Sequence, residues 1–561
     1  MLWSPPAVTA ALVFVAAARG ASWHDFEARN RTPASCPDYT DYSRHAHEPS
    51  SQGRLRLPFM RPSEECRTFK SPAVEAVIRD LSAQIKDPDL ARLFENTFPS
   101  TLDTTVKYFD PAANLAFIVT GVSGPFPPPP LPCQIPFSAL GSDASCQDIT
   151  AQWLRDTGNQ FAHLYKLLPR DDNLKALVRA VINTEARYIA QYPYCGAFQP
   201  PPESGLKPTF NDWAQNIKVN PPVDNQTVFE CKYELDSLAG FLKISRSYYQ
   251  NTKDTAFIND NWENAMNKIL QTIHEQSQSS WSEDWHFISY YNWTGTPGSL
   301  APTVNNDGNG EPKLANGLVA SSHRPSDDDC IFNFITSDNA MLSVELGHIA
   351  DMLDKERKLQ PISSKVRQYA DSVRQAVLEH TLTPNGVFAY ETNGYGGQYI
   401  MDDANVPSLV SLPYLGFLPR NDNRYKKTKD AMFSRANPYF AVGKSFQGIG
   451  KEGWADKIIS GPHVNATYPW PMSQISGIFG TDDDDEIRQR LALILDNTSG
   501  LGLIHESVSI YNGSDFTRPW FAWANSYFAE MILDLAERKP ELIFKEAKPY
   551  VLGKDTMPLK G

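Results

Sequence analysis

Apolar residues recur at helical spacing along most of the chain. Ser71 and Pro72 form a cap and first-turn pair, and Val74, Val77, Ile78 and Leu81 follow on one face. The same spacing predicts helices at about 173–191, 235–250, 260–276, 338–353, 363–380, 404–417, 424–434, 484–495 and 524–538. Loops rich in Gly, Pro, Asn and Asp join them, and β alternation is sparse. The predicted fold class is all-α. Helices in that number and alternation suit a toroid of helical hairpins. A solenoid competes, but no short sequence period recurs.

The ends of the chain and one internal segment break the pattern. Residues 1–22 read as a secretory signal peptide: Ala10 to Ala18 is a short apolar run, and the small residues Gly20, Ala21 and Ser22 offer a cleavage point. Its leading region lacks Lys and Arg, a departure from the usual form. The run is too short for a membrane span and no later stretch qualifies, so no span is expected in the mature chain. Residues 23–60 are polar and Pro-punctuated, an extended leader; 61–545 form one helical domain and 546–561 a C-terminal tail. Residues 122–147, VSGPFPPPPLPCQIPFSALGSDASCQ, are wedged between the apolar run LAFIVTG and the helix start DITAQWLRDT. A Pro-rich surface loop is the bland explanation. A retained intron translated in frame is the sharper one. Val-Ser can be encoded by a splice-donor consensus, Cys-Gln can end in an acceptor, and Ser142-Asp143 can encode a branch site. Excision joins FIVTG to DITAQWLRDT and removes Cys133 and Cys146.

Composition narrows the function. With 41% hydrophobic and 21% charged residues the chain is globular, and a net charge of −13 without a basic cluster argues against nucleic acid and anionic membranes as partners. The 12 Trp and 23 Tyr serve core packing first and sugar stacking second. Sequons at Asn30, Asn225, Asn292, Asn465, Asn497 and Asn512 fit a secreted or secretory-pathway protein. Seven cysteines are too few for a disulfide scaffold, and no CxxC pair suggests a metal site. Cys195 with Cys231, or Cys36 with Cys66, could bridge in an oxidising compartment.

Three phrases carry candidate chemistry. In Trp153-Leu154-Arg155-Asp156, the Arg-Asp pair can fork hydrogen bonds to adjacent sugar hydroxyls beside an indole; a helix-end ion pair is the equal alternative. In Arg324-Pro325-Ser326-Asp327-Asp328-Asp329, the crowded carboxylates can raise the pKa of one member, as a general acid requires; a solvated loop or a helix N-terminus is the plainer reading. In Ile504-His505-Glu506-Ser507, followed by Arg518, Trp520, Trp523 and Asn525, a Glu stands near the lip of a site or is simply a satisfied buried acid. Two carboxylates far apart in sequence are the minimum for glycoside hydrolysis. No Ser-nucleophile elbow, phosphate loop or HExxH appears. Lys232-Tyr233-Glu234-Leu235-Asp236 and Met401-Asp402-Asp403-Ala404-Asn405 add polar groups at predicted helix starts.

In the same order, ENTFPSTLDTTV, FIVTG with DITAQWLRDT, KYELDSLAGF, RPSDDDC with SDNAM, MDDANVPSLVSLPYLGF, and GLIHES with FTRPWFAWANSYFAEMI resemble glycoside hydrolase family 125, from about residue 60 to 545. The resemblance implies an (α/α)6 barrel and exo-α-1,6-mannosidase activity on mannose-containing glycans, with inversion and without a metal or other cofactor. Carried over, Asp327 is the general acid, with Asp328 the neighbour open to confusion with it, and Glu506 the base that activates water. Inversion requires the two carboxyl groups to stand roughly 6.5–9.5 Å apart. Arg155 and Asp156 hold the terminal mannose, with Trp153 beside them. Arg324, His505, Arg518, Trp520 and Trp523 are further candidates for the pocket wall, while Asp402, Asp403 and Asn405 either line it or cap a helix. Departures are the Ala320-Ser321-Ser322-His323 run before Arg324 and an apparent insertion, KEGWADKIIS at 451–460, expected to shift Pro462 and His463. Another exo-glycosidase on the same barrel, or a glycan-binding protein without turnover, are the alternatives.

Overall fold

A computed structural model describes residues 36–121, 151–211, 214, 216–296, 303–441 and 458–554. The signal-peptide segment, the 122–147 segment, the Asn30 sequon and most of the 451–460 insertion lie outside these residues. The principal helices are α1 (Pro72–Gln84), α2 (Pro88–Thr97), α3 (Leu154–Gln160), α4 (Asp172–Gln191), α5 (Leu235–Thr252), α6 (Asp260–Gln276), α7 (Thr336–Glu356), α8 (Gln360–His380), α9 (Asn423–Met432), α10 (Pro471–Phe479), α11 (Asp484–Asp496) and α12 (Ala522–Arg538). Strands are short, two to five residues, and pair antiparallel in small ladders.

The helices form two rings. In the inner ring α3 packs on α5, α5 on α7, α10 on α12, and α12 returns to α3, so the ring closes and the solenoid alternative falls. Between α7 and α10 the inner position is filled by residues 404–417, which form turns rather than the predicted helix. Pro407 and Pro413 interrupt that stretch, and the Asp402 carboxylate accepts hydrogen bonds from the backbone N–H groups of Leu409 and Val410 at 2.8 and 3.0 Å. The segment still packs as an inner element: Tyr414 stacks on Phe479 of α10 and its hydroxyl links Lys243 of α5 to Glu530 of α12. The outer ring comprises α4, α6, α8, α9 and α11, with the α1–α2 hairpin completing it against α11 and α12. This is the (α/α)6 barrel.

Burial separates the rings. All seven residues of α3 and all nine of α10 are buried, whereas α9 and α11 bury only one stripe. The inner helices approach closely where α3 meets α5. A Cβ on Gly158 would stand 2.7 Å from the Gly240 carbonyl oxygen, and one on Gly240 2.9 Å from that of Leu154. Outer helices α1, α2, α4, α6, α9 and α11 begin on Ser71, Asp87, Asp171, Asn259, Asp422 and Asp483, whose side chains accept from first-turn N–H groups. Both cysteine pairs considered from sequence are bonded, Cys36–Cys66 and Cys195–Cys231, and Cys330 is free and buried. The leader is not simply extended: residues 39–42 form a helical turn, and Tyr39 packs edge-on against Trp520.

Candidate active site

Five inner helices start without a side-chain cap, at Trp153, Glu234, Ile335, Trp470 and Phe521. The starts of α3, α10 and α12, with loops that carry Asp327, Asn405, His463 and Glu506, enclose one cavity. Three carboxylates line it: Asp156, Asp327 and Glu506. Arg155, Arg518 and His463 supply its basic groups, and Trp153, Trp470, Phe521 and Trp523 its apolar wall. Thr120, Ser326 and Asn405 complete the lining.

Arg155, in the first turn of α3, organises the acids. Its guanidinium meets Asp156 at 3.2 Å, Glu234 at 3.1 Å, Asp236 at 3.8 Å and Asp327 at 3.1 Å, and stands 5.6 Å from the Trp523 ring centroid. Three buried carboxylates and the partly exposed Asp327 around one guanidinium cannot all ionise at ordinary cost, which favours protonated forms among them. Burial pushes Asp156 up to about 6 and Asp236 up to about 7, with Arg155 offsetting only part of the effect. Burial and the nearby Asp327 charge put Glu234 well above the usual carboxylate range despite Arg155. Asp327 goes the other way: burial opposes its charge, but Arg155 and Lys232 outweigh burial and hold its carboxyl well below that range.

The Asp-Asp-Asp phrase splits three ways. A tight turn closes through Asp327 N–H to the Arg324 carbonyl at 2.9 Å and Arg324 N–H to the Asp328 carbonyl at 2.7 Å. Asp327 sits in it at φ 69°, a left-handed conformation that Asp tolerates better than most residues, and this sends its side chain into the cavity. Asp328 faces His463 Nδ1 at 3.7 Å, and burial pushes its carboxyl up to about 6. Asp329 pairs with the buried His323 at 3.2 Å. Across the cavity Glu506 is held by the hairpin that follows it. Its Oε1 meets Arg518 Nε at 2.7 Å and its Oε2 accepts from Thr517 Oγ1 at 2.9 Å.

Other residues singled out by sequence fall elsewhere. Arg324 is turned from the cavity: its guanidinium binds buried Glu391, whose other oxygen accepts from the N–H groups of Ile331 and Phe332, so Arg324 anchors the loop rather than lining the pocket. His505 stacks on Phe516 at 3.8 Å with a ring nitrogen 3.3 Å from the Thr498 carbonyl, and burial lowers its pKa to about 4. Trp520 packs with Tyr108, Phe117 and Val119 in a separate apolar cluster. Asp402 caps the 409–410 turn. Asp403 accepts from Ser326 Oγ, and Asn405 lines the cavity while donating to the Pro325 carbonyl at 2.8 Å. His463, next to the insertion, lines the cavity, as do Thr120, Ser326, Trp470 and Phe521, which sequence reasoning did not nominate. Trp470-Pro471 carried a readable signal, a proline at the first helical position.

The chain matches the sequence model of the family described as Metal-independent alpha-mannosidase (GH125) over residues 87–123 and 143–533. The unmatched stretch lies within residues 122–147. The chain is 41% identical over 523 residues to the Meiotically up-regulated gene 157 protein of Schizosaccharomyces pombe (strain 972 / ATCC 24843), covering 91% of this chain and 95% of that one. A solved Streptococcus pneumoniae structure of a metal-independent alpha mannosidase, a non-productive complex with α-1,6-mannobiose, superimposes with a TM-score of 0.70 over 83% of this chain and 98% of that one; at 24% identity it shows the shared fold. The chain belongs to glycoside hydrolase family 125, the metal-independent alpha-mannosidases.

Proposed function

We propose that the protein is an exo-acting α-mannosidase that removes terminal non-reducing α-1,6-linked mannose with inversion of configuration. The observation that carries the proposal is that Asp327 and Glu506, brought together from distant parts of the chain, line the same cavity. Asp327 protonates the glycosidic oxygen as the C–O bond breaks. Glu506 takes a proton from the water that attacks the anomeric carbon from the opposite face. Asp328, whose raised pKa would also suit an acid, faces His463 and does not line the cavity, which favours Asp327. Arg155 and Asp156 bind the terminal sugar's hydroxyls, and Trp153 and Trp523 offer the apolar faces that pyranose C–H groups prefer. The linkage preference draws on the mannobiose bound by the pneumococcal relative.

We further propose a secretory-pathway or extracellular location, with the N-terminal segment as its signal. Among the described residues, Asn225, Asn465 and Asn512 are the exposed sequons; Asn292 is half-buried with its amide donating to the Asp307 carbonyl at 2.8 Å, and Asn497 is buried, with its amide donating to the Leu493 carbonyl. Residues 122–147 are read as a retained intron. The chain on either side already meets, since Ile118 N–H donates to Gln152 Oε1 at 3.1 Å. The test is hydrolysis of α-1,6-, α-1,3- and α-1,2-mannobiose by the chain with and without 122–147. Mannose release confined to the α-1,6 isomer is expected, strongest from the shortened chain. Preference for another linkage, or no release from either folded form, would overturn the proposal.

A further inference from the structure

The residue read as the acid stands in a setting that favours its charged form. A donor must carry a proton, yet Asp327 faces Arg155 at 3.1 Å, with Lys232 and His463 adding positive potential. The proton must be kept close by, on a neighbouring carboxyl group more deeply buried than Asp327. Glu234, at the start of α5, meets this requirement. Its Oε2 lies 3.1 Å from Arg155 Nη1 and accepts from Ser237 Oγ at 3.0 Å, while its buried Oε1 has no other assigned donor. Glu234 and Asp327 hold the two terminal nitrogens of the same guanidinium, Glu234 at 3.1 Å from Nη1 and Asp327 at 3.1 Å from Nη2, which makes them neighbours. Two neighbouring carboxyl groups sharing one cation away from water favour a state with one proton between them. Their exposures divide the work. The Glu234 side chain is 1% exposed and does not line the cavity, whereas that of Asp327 is 14% exposed and does.

We infer that Glu234 is a positioning residue for the reaction: it and Asp327 share one proton, stored on the buried glutamate and delivered to the glycosidic oxygen through the aspartate. This rests on the reading of Asp327 as the acid. As the glycosidic C–O bond breaks, its electron pair stays on the leaving oxygen, which takes a proton from Asp327, and Asp327 takes the proton held by Glu234. Glu506 receives a proton from the attacking water. The Glu234–Asp327 pair then recovers one proton from solvent and Glu506 loses one, closing the cycle. The charged groups around the pair are Arg155 and Asp156 on α3, Asp236 on α5, Lys232 before α5, and His463; Asp338 on α7 reaches it through Asp236 and Arg155, and Asp328 through Lys232 and His463. Arg518 reaches the cluster through Asp156. Of the two acids on Arg155 Nη1, Glu234 makes the closer contact, 3.1 Å against 3.8 Å for Asp236.

The test compares kcat/KM against pH for the wild-type chain, Glu234→Gln and Asp327→Asn, each on α-1,6-mannobiose and on an aryl α-mannoside whose leaving group needs no protonation. Removing the partner carboxylate leaves Asp327 beside Arg155 alone, so the alkaline limb of Glu234→Gln should move to lower pH by roughly one unit or more. Its activity at neutral pH should fall about tenfold or more on mannobiose and far less on the aryl substrate. An unmoved limb with equal losses on both substrates would make Glu234 structural only and overturn the inference while sparing the acid. Full activity of Asp327→Asn on mannobiose would overturn the acid assignment itself. If Glu234→Gln does not fold, Glu234→Asp serves: a shorter, weaker partner should give a displaced alkaline limb, and a wild-type limb would contradict the inference.

Discussion

Outer helices α1, α2, α4, α6, α9 and α11 each satisfy their first N–H groups with their own Ser, Asp or Asn. Inner helices α3, α5, α7, α10 and α12 begin on Trp, Glu, Ile, Trp and Phe, with no such bond. The outer α8 is an exception, starting on Leu359 in the left-handed region with a proline in its first turn. The outer ring spends its polar side chains locally, closing each helix. The inner ring leaves its helix starts to face one another, and the polar groups gathered there serve the cavity. Charge follows the same division. Two outer-ring carboxylates lie low: Glu486, despite burial, is brought down to about 2 by Arg490 and Lys429, and Asp422 is lowered by its bond with Arg424. Three inner-end acids lie high, Asp156 at about 6, Asp236 at about 7 and Asp402 at about 8, each because burial outweighs its partners, while Asp327 is held low by Arg155 and Lys232.

The comparison breaks most visibly in activity. Asp327→Asn and Glu506→Gln should each lower kcat by about 10²–10⁴-fold on α-1,6-mannobiose, with thermal melts close to wild type, because in the proposed mechanism each removes one proton-transfer group. A stability loss matching the activity loss would place these acids with the structural ones. Next comes Arg155→Met, which strands the carboxylates around it. A cost of about 3–5 kcal/mol in chemical denaturation is expected, since breaking a buried pair leaves uncompensated charge. A variant of wild-type stability would show that the acids do not depend on Arg155.

The opposite pKa shifts give the rings opposite pH responses. Asp156, Asp236 and Asp402 have folded pKa values above their unfolded ones, so in the folded state they bind protons more tightly. Their stabilisation is complete at low pH and is lost as pH rises through about 6 to 8. Glu486, with its folded value depressed, contributes above its unfolded pKa and loses that contribution as pH falls towards about 2. Tm should therefore fall from pH 6 to pH 8, and Asp236→Asn should narrow that fall while leaving Tm at pH 5 near wild type. A steeper alkaline fall in the variant would reverse the assigned sign. The smallest effect belongs to the outer caps: Asp483→Ala should cost about 1 kcal/mol with kcat/KM unchanged. A change in kcat/KM would show that the rings are coupled.

The same division explains what was legible in the sequence. Outer helices such as α4 and α11 carry one apolar stripe and a capping residue, so periodicity and cap chemistry locate them to within a few residues. Inner helices α3 and α10 are buried all round and short, which erases the 3.6-residue period, and the 404–417 run is apolar enough to imitate a helix while its prolines and Asp402 fold it into turns. The site phrases were visible because they concentrate Arg, Asp and Trp in single runs. Which member of a run reaches the cavity was not visible. Asp327 rather than Asp328 lines it because of one left-handed backbone angle, and Arg324 is withdrawn by Glu391, more than sixty residues away in sequence. Residues such as Thr120 and His463 come from separate loops, and only the closed ring brings them to the same wall.

The central claim is that two carboxylates, separated by room for a water, act on opposite faces of a terminal mannose. It is tested most directly by following α-1,6-mannobiose hydrolysis by proton NMR in the presence of EDTA, reading the anomer before mutarotation. The account predicts β-mannose as the first product, at a rate indifferent to the chelator. First appearance of α-mannose, or loss of activity that added metal restores, would contradict it.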